Sequence, residues 1–178
     1  IWDPNTTERV ATLTGHTDWV TGVAWHPISD LIATTSKDGC IIWNPHTGKP
    51  ITAFTGHTGW VTGVVWHPTG DLIATSSNDR TCIIWNPHTS EKITTLTGHT
   101  SRVTGVAWHP SGDLIATADA SGLIRISHLD GALERAFISV RHRVPGVESY
   151  ASWTPQGLDV LEGEAWRVLR VPEPEDGS

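Results

Sequence analysis

Two sets of residues have the types a hydrolase uses. His16, Ser36 and Asp38 form the first, and His57, Ser77 and Asp79 the second. An imidazole held between a hydroxyl and a carboxylate is the arrangement that activates a serine nucleophile. Both sets are followed by a tryptophan, Trp43 and Trp85, and the duplication itself argues against catalysis, since a reaction needs one site with substrate access and oxyanion donors. Buried indole, hydroxyl, imidazole and carboxylate groups each need a partner, and a half-satisfied network costs more than none. The sets therefore read as structural tethers, and Thr34 and Thr75, on the same strand face, are alternatives to the serines. His99 repeats the histidine once more, without a following tryptophan.

A second temptation is metal. His26, His46, His67, His88 and His109 all fall in turns. Zinc needs three or four ligands converging at about 2.1 Å, whereas copies of one position sit in different units. His26 with His46 is the one pair within a unit. No metal and no other cofactor is expected.

The elements that must position these groups repeat. Gly-His recurs at 15–16, 56–57 and 98–99, at spacings of 41 and 42 residues. Units of this length cannot bury their own apolar faces and must stack. From Trp60 to His99 the chain runs through Val61 to Trp66, a His67-Pro68-Thr69-Gly70 turn, Leu72 to Ser77, an Asn78-Asp79-Arg80 turn, Cys82 to Trp85, and Lys92 to Leu96. Four short runs joined by Gly, Pro, Asn and Asp turns predict a four-stranded antiparallel meander, with strands a to d.

Gly-His ahead of an aromatic-polar pair, with an Asp in the turn before the third strand, resembles the WD40 repeat, the blade of a β-propeller. The closing pair is Trp2-Asp3 once and Trp43-Asn44 and Trp85-Asn86 thereafter. The resemblance covers residues 1 to about 137 and is weak over 138–178. It implies an all-β fold of WD40-type blades in a partial or small ring of about four. It also implies the wiring of each tether: indole N–H to serine hydroxyl, serine to histidine, histidine to the turn aspartate.

The expected organisation is then the end of an interrupted blade at 1–14 (a strand c stub and a strand d), blade one at 15–55, blade two at 56–97, blade three at 98–137, a degenerate terminal blade at 138–171 and an acidic, disordered tail at 172–178. Blade one lacks one residue between Asp38 and Trp43 relative to Asp79 to Trp85, which should tighten its third turn or force an irregularity. In blade three Ser121 takes the turn-Asp position, Asp119 the preceding serine position and Ser127 the tryptophan position, so its tether should be the softest. Opening at Ile1-Trp2, mid-blade, the chain reads as the C-terminal part of a larger propeller. A four-bladed ring and an oligomer of half-rings are the rival ways to protect the sheet edges.

Composition narrows the partners. Ten Trp stand against two Phe and one Tyr, but Trp25, Trp66 and Trp108 are one position copied, as are Trp2, Trp43 and Trp85, so they report core sites. A net charge of −7 argues against a nucleic-acid groove or an anionic membrane surface. No apolar run is long enough to span a bilayer, no signal peptide is visible, and Cys40 and Cys82 read as small buried hydrophobes of a reducing, cytoplasmic compartment.

Variation among near-identical copies marks the remaining candidates. Asp18-Trp19, Gly59-Trp60 and Ser101-Arg102 open strand a, and Lys37, Asn78 and Ala120 precede the turn aspartate or its equivalent. The d–a and b–c loops that carry them share one rim. Trp and Arg are favoured interface anchors, and the resemblance implies that a protein or peptide binds there. The other reading packs Trp19 and Trp60 between neighbouring blades. The basic stretch Arg141-His142-Arg143 reads as a solvated loop or an anion-binding one. The function expected is a non-enzymatic interaction scaffold. The alternative is the C-terminal sensor of a bacterial or fungal signalling NTPase, whose P-loop is not among these 178 residues.

Overall fold

A computed structural model describes residues 1–141, 148–154 and 157–162, with side chains through residue 138. Every regular element among them is a β-strand. Sheet one consists of β1 (Val20–Trp25), β2 (Ile32–Ser36), β3 (Gly39–Trp43) and β4 (Pro50–Phe54) in that order. Sheet two copies it with β5 (Val61–Trp66), β6 (Ile73–Ser77), β7 (Cys82–Trp85) and β8 (Lys92–Leu96). Sheet three begins with β9 (Val103–Trp108), β10 (Leu114–Asp119), β11 (Leu123–His128) and β12 (Leu133–Arg141). All pairings are antiparallel, as the all-β WD40-type reading requires.

The residue missing from sheet one is absorbed in a turn. Ser36 pairs with Gly39 across Lys37-Asp38, and Gly39 takes φ +130°. Sheet two spends one residue more, with Arg80 at φ +71°. Register survives because Thr35 still faces Cys40 as Ser76 faces Cys82. Both thiols are buried and unpaired, and burial pushes the Cys82 thiol up to about 12.

The sheets stack with β1, β5 and β9 as neighbours. The back face of sheet one, with Ala33, Cys40 and Ile42, meets the front face of sheet two, with Val64, Trp66 and Ile73. The next joint repeats this with Ala74, Cys82 and Ile84 against Ile115. Each first strand carries a bulge, between Val20 and Gly22 or Val61 and Gly63, which re-aims one threonine at the next sheet. Thr62 Oγ1 donates to the Val103 carbonyl at 2.6 Å, and Thr21 Oγ1 to the Val61 carbonyl. Trp66 Nε1 donates to the Ala24 carbonyl at 3.2 Å.

Histidines of the a–b turns lock the joints further out. His67 Nδ1 accepts the Thr69 N–H, leaving Nε2–H to donate to the Gly112 carbonyl at 3.1 Å. Gly70 and Gly112 have φ +83° and +85°. A Cβ there would lie 2.3 Å from the His26 ring and 2.2 Å from the His67 ring.

Two expectations need correction. Residues 138–171 read as a separate degenerate blade, yet β13 (Glu148–Thr154) and β14 (Gly157–Glu162) are the fifth and sixth strands of sheet three. The reason is β12, nine residues long where β4 and β8 have five. Its surplus edge would otherwise be left with unpaired backbone groups. Arg141 is thus a strand residue rather than part of a loop. At the other end, the strand c stub and strand d of residues 1–14 reduce to a single bridge between Trp2 and Arg9. The Ile1 amino group donates to the Ala11 carbonyl at 2.8 Å. His142, Arg143, the last part of the expected terminal blade, 163–171, and the tail at 172–178 lie outside the described residues.

Gly70→Ala should lower stability by about 1–3 kcal/mol, because it meets both a left-handed backbone and an imidazole. Chemical denaturation of the variant beside the parent checks this.

Candidate functional site

The d–a and b–c loops carry the candidate residues, and a hydrogen-bonded chain lies beneath them. In sheet two Trp85 Nε1 donates to Thr75 Oγ1 at 2.8 Å, and Thr75 Oγ1 lies 2.9 Å from His57 Nε2. His57 Nδ1 is 2.8 Å from Asp79 Oδ2. A carboxylate accepts only, so Nδ1–H donates to Asp79, and Thr75 Oγ1, which already accepts the indole proton, has its own O–H left for Nε2. Sheet one is wired alike, through Trp43 Nε1 to Thr34 Oγ1 at 2.7 Å, Thr34 to His16 Nε2 at 2.8 Å, and His16 Nδ1 to Asp38 Oδ1 at 2.7 Å.

The serines expected in this chain are not in it. Trp43 pairs across strands with Ile32, and Trp85 with Ile73. The indole therefore reaches the hydroxyl two residues further along the strand, Thr34 or Thr75, and not the one four residues along. Ser36 Oγ is buried without a hydrogen bond, while Ser77 Oγ accepts the Asp79 N–H at 3.1 Å. One signal in the sequence did mark the threonines: Thr34, Thr75 and Thr117 are identical in all three copies, whereas Ser36 and Ser77 become Asp119.

Sheet three reaches the same end differently. His99 Nδ1 lies 3.0 Å from Asp119 Oδ2, and Nε2 lies 2.7 Å from Thr117 Oγ1. Asp119 also accepts the N–H groups of Ser121 and Leu123, so Ser121 serves the aspartate rather than replacing it. Gly98 shows what fills the tryptophan's place. A Cβ on Gly15 or Gly56 would meet the indole of Trp43 or Trp85, and one on Gly98 would lie 2.9 Å from the Arg125 guanidinium carbon. Expected to be the softest of the three, this tether has the most enclosed pair: the His99 and Asp119 side chains are 1% and 0% exposed.

Burial raises the carboxyl pKa of Asp38, but hydrogen bonds from Thr17 N–H, His16 and Thr17 Oγ1 outweigh it and hold the group at about 2. Asp119 is likewise raised by burial and brought to about 2 by Ser121, His99 and Leu123. Burial lowers His99, more than Asp119 raises it, with Arg125 adding to the lowering.

Above this layer sit the rim candidates. Trp19 is 77% exposed and meets half-buried Trp60 edge-on, with ring centroids 6.3 Å apart and planes at 81°. Lys37 Nζ lies 5.6 Å from the Trp60 ring centre and 3.7 Å from Asp18 Oδ2. These four side chains are brought together across the joint between sheets one and two. Asn78 and Arg102 are exposed on the same loops, and the Asn78 N–H donates to the Trp60 carbonyl.

The histidine pair considered for metal is not formed. His26 Nδ1 accepts the N–H groups of Ile28 and Ser29, and His46 Nε2 lies 3.3 Å from Asp30 Oδ2. Among the described residues no three His, Cys, Asp or Glu side chains cluster as metal ligands.

Stacked antiparallel meanders, the first two closed under the d–a loop by an indole–hydroxyl–imidazole–carboxylate chain and the third by a hydroxyl–imidazole–carboxylate chain, define blades of a β-propeller. The family model for the WD domain, G-beta repeat (WD40), matches residues 7–44, 48–86 and 90–126. The chain belongs to the WD40 repeat family. No curated protein matches it. Domains of this family are in general non-catalytic scaffolds for protein–protein interaction.

Thr75→Val should cost about 1–3 kcal/mol by orphaning a buried indole and an imidazole, whereas Ser36→Ala should stay within about 0.5 kcal/mol; thermal unfolding of the two variants separates them. The pH dependence follows from the shifts. His99 is depressed below its ordinary 6.5, so the unfolded chain binds more protons and stability falls as pH drops below 6.5. Asp38 and Asp119 contribute stability that is present above the ordinary 3.8 and is lost as pH falls towards about 2. His99→Gln should flatten the first decline and spare the second, read as melting temperature against pH.

Proposed function

We propose that the chain is a non-catalytic interaction scaffold that seats a peptide or protein segment on the rim of its d–a and b–c loops. Trp19 and Trp60 are the anchors, with Lys37, Asn78 and Arg102 beside them. The observation that carries this reading is Trp19, exposed and edge-on to Trp60 at a rim where otherwise near-identical repeats differ. An exposed indole backed by a second aromatic ring and a cation offers a partner apolar area at little cost in ordering. The general role of the family supports the same use. The histidine–aspartate sets favour support over catalysis, since each relay threonine is buried with its hydroxyl engaged. The free buried thiols fit a cytoplasmic setting. A sensor propeller of a signalling NTPase would use this rim in the same way.

Selection of peptides from a displayed random library on the immobilised chain would supply a defined ligand. Trp19→Ala and Trp60→Ala should each weaken a selected peptide about 30-fold, with the β-sheet circular dichroism unchanged. Equal affinity for parent and both variants would remove the rim from the interaction.

A further inference from the structure

We propose, on the rim reading above, that Lys37 occupies a cation site of its own chain and that a lysine or arginine side chain of the partner takes its place between Trp60 and Asp18. The Lys37 ammonium lies 5.6 Å from the centre of the Trp60 ring and 3.7 Å from Asp18 Oδ2. An indole face attracts a cation through its quadrupole, and a carboxylate attracts it through its charge. The site thus already displays the kind of group it accepts. All three side chains belong to sheets one and two and to the joint between them.

Lys37 is held there loosely, while the groups around it are fixed. Its 3.7 Å contact with Asp18 is longer than a hydrogen bond. The lysine side chain is also 55% exposed, where ion pairs and cation–π contacts are weak and screened by salt. In sheets two and three the Asn78 N–H donates to the Trp60 carbonyl and the Ala120 N–H to the Arg102 carbonyl, tying each b–c loop to its d–a loop. Among the described residues the Lys37 N–H makes no such bond to Trp19, in the turn that is one residue shorter. Asp18 is anchored by contrast, since its Oδ1 accepts the Trp19 N–H at 2.8 Å and leaves Oδ2 for a cation.

The combination is confined to one joint. At the second joint Gly59, Asn78 and Arg102 stand where Asp18, Lys37 and Trp60 stand at the first, so neither the carboxylate nor the stacked indole is repeated there. Trp19, edge-on to Trp60, supplies apolar area for the methylene stem of the incoming side chain. The net charge of −7 favours the encounter with a basic segment and disfavours an acidic one. Once displaced, the Lys37 ammonium is left in water, where it is already half exposed.

Peptides selected from the displayed library should carry a lysine or arginine, and changing that residue to glutamine should weaken binding at least about tenfold by titration calorimetry. Asp18→Asn should weaken the selected peptide about tenfold and leave its glutamine version within about twofold, because the two charges act on each other. Lys37→Ala should tighten the selected peptide about fivefold by removing the internal competitor. A lysine that only propped the indole would give weaker binding instead. Acidic or uncharged selected peptides, or a Lys37→Ala chain that binds no more tightly than the parent, would overturn the cation site. The rim would survive that result as long as Trp19→Ala and Trp60→Ala still lose affinity. Parent-like binding by those two variants, or a library that yields no binder, would remove the rim and the cation site together.

Discussion

One hydroxyl in each of the first two sheets ties three separate pieces of chain together. Thr75 accepts the indole proton of Trp85 from the neighbouring strand and gives its own to His57 in the preceding loop. His57 passes the requirement to Asp79, whose carboxylate also accepts the Thr58 and Thr81 N–H groups. None of these groups can be buried without its partners except at a cost of about 1–3 kcal/mol each. The d–a loop therefore has one low-energy position over its sheet, and Trp60, three residues past His57, is placed by it. The glycine of each Gly-His pair serves the same end, since Trp43 or Trp85 lies where its Cβ would be.

Sheet three shows that the constraint is satisfaction of the buried groups rather than the identity of the residues. Asp119, two residues earlier than the expected turn position, reaches its histidine and also takes the N–H groups of Ser121 and Leu123. The Arg125 guanidinium packs on Gly98 where an indole packs elsewhere. Losing the tryptophan did not open the site: His99 and Asp119 are the best-shielded pair of the three.

Much of this was legible in the sequence because it was written three times. The period of the Gly-His pairs, the alternation within runs and the turn residues between them placed the strands and the meander order. The choice between two hydroxyls on one strand face was not legible, because it turns on cross-strand register: Trp43 opposite Ile32 points its indole at Thr34. The attachment of β13 and β14 to sheet three was hidden for a related reason. Their Trp153-Thr154-Pro155 echo of a first strand gives no sign that the longer β12 leaves an edge to be paired. The Trp19–Trp60 contact joins two sheets, and no single repeat contains the information for it.

The relay is most directly tested by hydrogen exchange at the tryptophan indoles, followed by nuclear magnetic resonance on chain carrying ¹⁵N-labelled tryptophan. The Trp43 and Trp85 indole protons, held by Thr34 and Thr75, should exchange only with opening of the whole sheet, while the exposed Trp19 indole exchanges at the rate of free tryptophan. If the Trp85 proton exchanged as fast as that of Trp19, the hydroxyl relay would not be what holds the blades closed.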